Sequence, residues 1–169
     1  ESLMPIGPSF SVATLLEWTP ESDPDARYSR ASIPMANREG GFVVNPKANP
    51  EAKLMLCSLA NSSHDTTSSQ GTENFMSWSF NYWKYTDSLV YCSGSEEGGI
   101  CCPTGEFTDA AHTNGVPVVA TLGFPWGSGS GYAEEVDAFC QKAEDGSFPV
   151  ADKLLAVMDY YGFDGYFFN

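Results

Sequence analysis

Four apolar runs organise the chain: Lys53 to Leu59 (KLMLCSL), Asp87 to Cys92 (DSLVYC), Val116 to Phe124 (VPVVATLGF) and Phe163 to Asn169 (FDGYFFN). None alternates cleanly between apolar and polar positions. A strand with one wet face alternates, whereas a strand covered on both faces does not. The pattern therefore predicts a parallel sheet buried on both sides. A fifth run, Val12 to Trp18, predicts a further strand or hairpin ahead of the main sheet.

Between the runs the period becomes helical. In VADKLLAVMDYY, residues Val150, Leu154, Val157 and Met158 fall on one face. Ser147-Phe148-Pro149 supplies a start with proline in the first turn, and Gly162 supplies a stop. Phe107 to His112 is a shorter helical candidate, ended by Asn114-Gly115, and Tyr132 to Lys142 is a third. Pro117 falls at the beginning of the next strand, where its missing N–H is harmless. The strand ends fall near residues 59, 92, 124 and 169, at intervals of about 33, 32 and 45. A (β/α)8 barrel of roughly 250 residues allots about 31 to each unit. The chain thus reads as α/β with about four β/α units, and the rhythm suits half of a barrel or a small doubly wound domain equally well.

Composition narrows the partners. With 42% hydrophobic and 14% aromatic residues in 169, the chain can build one sizeable core and is not disordered. The net charge of -14 argues against nucleic acid and anionic lipid, which need clustered Lys and Arg. It is compatible with a neutral, hydroxyl-rich ligand such as a sugar. No apolar run approaches the roughly 18 to 20 residues of a membrane span. The opening ESLMPIGPSFSVATLLEW has no basic segment before its apolar stretch, so it is not an intact signal peptide. Secretion or cell-surface display would require a peptide already removed, and the alternative is the cytoplasm.

Candidate metal and nucleotide chemistry is weak. Five cysteines, Cys57, Cys92, Cys101, Cys102 and Cys140, contain no CxxC pair, and His64 and His112 have no ligand spacing around them. No metal and no cofactor is expected. Cys57 and Cys92 lie within apolar runs and read as core residues. Gly127, Gly129 and Gly131 form a GxGxG run after the third strand. It lacks the third spaced glycine and the ribose-binding acid of a dinucleotide site. A substrate loop flanked by Trp126 and Tyr132 is the better reading. Residues 60–74 (ANSSHDTTSSQGTEN) read as an exposed polar loop, with a formal glycosylation sequon at Asn61.

Ligands of parallel sheets, open or closed, bind at the C-terminal ends of the strands. Those ends are expected to carry Tyr91 and Cys92, Phe124 and Trp126, and Asp164 and Asn169. Aromatic faces beside carboxylate and amide groups suit a sugar. The competing reading is that these aromatics are core, which applies to at least two of Tyr166, Phe167 and Phe168.

Four stretches carry a more specific signal: LLEWTPESDPDARYSRASIP (15–34), FNYWKYTDSLVYCSGS (80–95), AAHTNGVPVVATLGFP (110–125) and FPVADKLLAVMDYYGFDGYFFN (148–169). In this order they resemble glycoside hydrolase family 85, the endo-β-N-acetylglucosaminidases. The resemblance implies a (β/α)8 TIM barrel that cleaves the β-1,4 bond between the two core GlcNAc units of N-linked glycans. It implies retaining, substrate-assisted chemistry, outside the two-carboxylate scheme. The substrate's own 2-acetamido oxygen attacks C1 to give an oxazolinium. An Asn at the end of the fourth strand holds the acetamide, and a Glu two residues later is the acid/base. By that motif Asn169 is the acetamide-orienting residue, and the Glu lies beyond the last residue given. The expectation is one domain, residues 1–169, forming about the first half of the barrel, inactive by itself, with exposed sheet edges that self-associate or pair with the missing half.

By the same resemblance Phe124 and Tyr132 line the cleft. Trp83 lines it too or packs beneath the barrel, and Asp164 orients its neighbours or is purely structural. Many family members carry an aromatic where this chain has Cys92. Two other readings remain: a non-catalytic glycan-binding module, and a chitinase-like hydrolase, whose DxxDxDxE pattern is absent.

Overall fold

The computed structural model describes residues 8–38, 47, 49, 51–59, 80–92, 99–125 and 131–169. The polar 60–74 loop with its sequon, His64, Trp126, Gly127 and Gly129 lie outside them.

Four strands, β2 (Met55–Leu59), β3 (Ser88–Cys92), β5 (Val118–Gly123) and β6 (Gly165–Phe168), coincide with the four apolar runs. They run parallel and lie side by side in chain order, Leu56 opposite Leu89, Val90 opposite Val119, Ala120 opposite Tyr166. Two short strands complete a six-stranded sheet: β1 (Ser9–Phe10) pairs antiparallel with β4 (Gly99–Cys101), and β4 lies antiparallel along the second half of β5. One edge of β5 is therefore shared, by β3 at its beginning and β4 at its end.

The helices follow the predicted periods. α3 (Gly105–Thr113), α4 (Tyr132–Phe139) and α5 (Pro149–Tyr161) occupy the three expected stretches. α5 buries Val150, Leu154, Val157 and Tyr161, one long stripe, with Met158 packed at its margin. Its capping residue is Phe148, which makes no side-chain cap, so the start rests on Pro149 at the first turn. Gly162 ends it in the left-handed region (φ 82°), donating to the Met158 carbonyl at 2.8 Å. A Cβ at Gly162 would also press to 3.1 Å from the Ala31 Cβ.

One expectation is overturned. Val12 to Trp18 is not a strand but a helix, α1 (Val12–Glu17), followed by a single helical turn, α2 (Ala26–Ser29). The Ser11 hydroxyl accepts from the Thr14 N–H (3.3 Å) and the Thr14 hydroxyl accepts from the Ser11 N–H (2.9 Å), a reciprocal cap that starts a helix despite the apolar run. Val12 and Leu15 then point inward together, three residues apart. Trp18 follows, only 4% exposed, its ring edge-on to Phe10 and Tyr160 and tilted against Tyr161. This aromatic cluster joins α1 to α5 and to one face of β5 through Ala120 and Leu122. A second apolar cluster places Leu89, Ala111, Val116 and Val118 between the sheet and α3.

Cys57 is the second correction. It is exposed on β2, an outer strand whose Met55 side is not covered by any described element. Cys92 is half-buried.

Candidate active site

The two ends of the parallel strands differ in kind. At the starting end, the strands are locked by carboxylates. Asp87 precedes β3 and accepts from the Leu54 N–H at 2.8 Å, just ahead of β2. This bond, helped by Lys53, holds the Asp87 carboxyl below its usual range despite the opposing cost of desolvation. Asp164 precedes β6 and uses the same device, accepting from the Val118 N–H of β5 at 2.8 Å. The same Asp164 oxygen lies 2.8 Å from Nε2 of His112, which is 5% exposed, while Nδ1 of His112 lies 2.8 Å from the Ile33 carbonyl. Both ring nitrogens of His112 thus face an oxygen, and which of them donates depends on the tautomer.

A strap over residues 30–38 crosses this end. Asp109 of α3 accepts from the Ser32 N–H and hydroxyl and the Ile33 N–H, all within 2.8 Å. Arg38 donates to the Thr86 carbonyl at 2.6 Å and to the Trp83 carbonyl. Arg30 donates to the Tyr160 carbonyl at 2.7 Å.

This geometry relocates two sequence candidates. Asp164 stands at the start of β6, not at its C-terminal end, with the whole strand between it and Asn169. Trp83 lies in a 3-10 turn, Trp83–Tyr85, ahead of β3, ring to ring with Phe80 at 4.4 Å and packed on the cluster beneath α3. A third candidate is buried. Tyr91 is 2% exposed and sits edge-on to Phe107 of α3, on the helix side of the sheet. Burial, with Cys101 and Cys102 nearby, pushes its phenol far above the usual tyrosine range.

At the finishing end, three candidates meet. Asn169 continues the β6 ladder: its N–H donates to the Leu122 carbonyl (2.9 Å), and its carbonyl accepts from the Phe124 N–H (3.0 Å). Tyr166 and Phe168 point to the helices, the Tyr166 hydroxyl donating to the Leu154 carbonyl and the Phe168 ring lying edge-on to Phe139. Alternation therefore sends Phe167 and the Asn169 amide to the opposite face. Beside Asn169, Phe124 is edge-on to both Tyr132 (6.0 Å) and Phe139 (5.6 Å). Tyr132 opens α4 and is 55% exposed, and Phe168 is 58% exposed. The Asn169 amide, on the face away from the helices, can accept a hydrogen bond from a sugar acetamide, while the exposed Tyr132 ring can offer a face to sugar C–H groups.

Among the described residues no group of three His, Cys, Asp or Glu could hold a metal, and no helix is long and apolar enough to cross a membrane. A groove of about 500 Å³ between Trp18, Arg30, Lys153 and Tyr160 lies on the outer helical layer, away from the strand ends. Its two cations already serve the backbone, Lys153 donating to the Trp18 carbonyl and Arg30 to that of Tyr160.

The sequence profile of glycosyl hydrolase family 85 matches residues 60–169, well over half of the chain. The chain belongs to glycosyl hydrolase family 85. The solved glycoside hydrolase domain of Endo-D from Streptococcus pneumoniae R6 superimposes with a TM-score of 0.86 at 40% identity, over 99% of this chain and 26% of that one. The cytosolic endo-β-N-acetylglucosaminidase of Gallus gallus is 30% identical over 162 residues, 92% of this family 85 chain. That of Mus musculus is 30% identical over 171 residues, or 95%. The chain spans about a fifth of the length of these curated relatives.

His112 is the residue whose importance the sequence did not reveal. It was weighed there only as a metal ligand. Its partners, Ile33 and Asp164, are 79 and 52 residues away, and no local spacing announces them. The one available signal was its position on the inward face of α3, four residues after Thr108, which is also buried.

Proposed function

We propose that this chain forms the first part of the catalytic barrel of an endo-β-N-acetylglucosaminidase, acting on the GlcNAc-β-1,4-GlcNAc core of N-linked glycans. The observation that carries this reading is the position of Asn169 at the C-terminal end of a parallel strand, its amide on the face turned away from the helices. Family membership supports the chemistry, and the printed names of the relatives support the substrate class.

Residues 1–169 are read as one domain, contributing about four units of a (β/α)8 barrel. The order of the parallel strands supports a barrel over a doubly wound sheet. Each of β3, β5 and β6 lies next to the parallel strand before it with no reversal, whereas a doubly wound sheet turns back at a switch point. The outer parallel strands β2 and β6 would each accept a further strand as the barrel closes.

In the reaction, Asn169 accepts the acetamide N–H and turns the acetamide oxygen toward C1 of the sugar. That oxygen attacks C1 with inversion as the C1–O bond breaks and the acid protonates the leaving GlcNAc oxygen; water, giving its proton to the same group, then opens the oxazolinium with a second inversion, so the anomer is retained overall. The acid/base is the Glu that follows the Asn by two positions in the family motif. Tyr132 offers its exposed ring to the sugar, backed by the half-buried Phe124. Tyr91, Trp83 and Asp164 support the barrel wall and its base rather than the sugar. The relatives' names support a cytosolic location over a secreted one, as do five cysteines that are all free thiols.

The test is glycan release from a high-mannose glycoprotein by the full-length enzyme, with products identified by mass. The expected product ends in a single GlcNAc. Absence of release by the folded wild-type enzyme, or an Asn169→Ala variant at the wild-type rate, would sink the reading.

A further inference from the structure

Asn169 belongs to a row that crosses three strands. The bonds from its N–H to Leu122 and from the Phe124 N–H to its carbonyl place Gly123 of β5 directly beside it. On its other side Gly123 pairs with Gly99 of β4. At this level the sheet carries one amide and two positions without side chains.

The two glycines have different causes. Gly99 has φ of 113°, and a Cβ there would lie 2.8 Å from the Phe10 carbonyl oxygen, so the approach of β1 requires it. Gly123 is the last residue of β5, still laddered between Gly99 and Asn169, and is not among the residues with positive φ. A glycine within a strand weakens it and marks a place where something comes close to the backbone. Nothing in the ladder itself asks for this one. Ala120 and Leu122 point to the helices and are fully or almost fully buried there, so position 123 faces the other way, onto the side that carries the Asn169 amide. A side chain at 123 would stand one strand spacing, about 4.8 Å, from Asn169.

We infer that Gly123 is a specificity-determining residue: it is the floor on which a 2-acetamido sugar lies while Asn169 holds its acetamide. The bare backbone leaves room for the acetamide substituent at C2 beside the amide. A methyl group at this position occupies the space that the acetamide needs. The inference rests on the glycosidase reading above and assigns the close limit of its sugar subsite.

The experiment compares wild-type full-length enzyme with Gly123→Ala and Gly123→Val. The readouts are kcat and KM for glycan release, the Kd for N-acetylglucosamine by titration calorimetry, and Tm. For Gly123→Ala the expected result is a fall in kcat/KM of about tenfold or more, and for Gly123→Val about a hundredfold or more. N-acetylglucosamine binding weakens in parallel. Tm stays level or rises, because alanine and valine suit a strand better than glycine does. Wild-type kinetics and binding in both variants would overturn the inference while leaving the glycosidase reading standing. A lowered Tm in both variants would overturn it as well, by showing that the fold itself needs the glycine. A wild-type enzyme that releases no glycan and binds no N-acetylglucosamine overturns both together.

Discussion

The start and the finish of the same four parallel strands are built on opposite principles. At the start, carboxylates and an imidazole are consumed by the protein itself: Asp87, Asp109, Asp164 and His112 all bind backbone or each other. At the finish, aromatic rings meet edge to edge, an amide points to the open face, and Tyr132 and Phe168 remain more than half exposed. The first arrangement spends polar groups on internal bonds and gains rigidity. The second leaves polar and aromatic groups available to solvent. A parallel sheet can separate stability from chemistry in this way because its two ends share strands but no side chains.

Mutations at the two rims should therefore fail differently. The largest effect is expected from Asn169→Ala: glycan release by the full-length enzyme falls about 10²- to 10³-fold, the size seen when one fixed polar group is removed from a developing charge, with little change in Tm. Next is Asp164→Ala, expected to cost about 3 kcal/mol in urea denaturation, because the buried His112 ring loses its charged partner and the Val118 N–H its acceptor. Activity per folded molecule should survive. A loss of activity without loss of stability at Asp164 would erase the contrast between the rims.

Smaller effects sharpen it. Tyr132→Ala should weaken glycan binding by about 1 kcal/mol, on the scale of one aromatic contact, read as a KM raised several-fold at nearly constant kcat. Asp87→Asn should act only on stability and only through pH. The folded Asp87 carboxyl titrates below its usual range, chiefly through the Leu54 N–H. Its contribution is present above the ordinary Asp value near 4 and fades as pH falls through the lower folded value. A melting series from pH 6 to pH 2 should show a flatter acid limb for Asp87→Asn, and an unchanged limb would remove Asp87 from the locking device.

The strands were legible because burial on both faces leaves an unbroken apolar run, as in VVATLG of β5. α5 was legible because four buried residues repeat at helical spacing between Pro149 and Gly162. α1 was misread because a six-residue apolar segment has no room to show its period, and its cap is a Ser–Thr pair rather than the usual Ser–Glu. At the candidate site, the motif in FDGYFFN pointed to Asn169, and register joins its backbone to that of Phe124, whose ring turns to Tyr132 and Phe139. Asp164 was placed at the wrong rim because it lies only five residues before Asn169 in sequence. Five residues of extended chain span roughly 16 Å, the full height of the sheet. Neither the His112 bonds nor the Gly123 row could be read along the chain, since both join distant segments.

The aromatic cluster around Trp18 also sets a schedule. Its carbonyl waits for Lys153, 135 residues later in the chain. A ribosome working at 5–20 residues per second needs roughly 7 to 27 s to deliver that partner. Throughout that interval α1 can form its cap, but Trp18 has no Tyr160 or Tyr161 to lie against. α1 is thus made well ahead of α5 and is secured only when α5 follows.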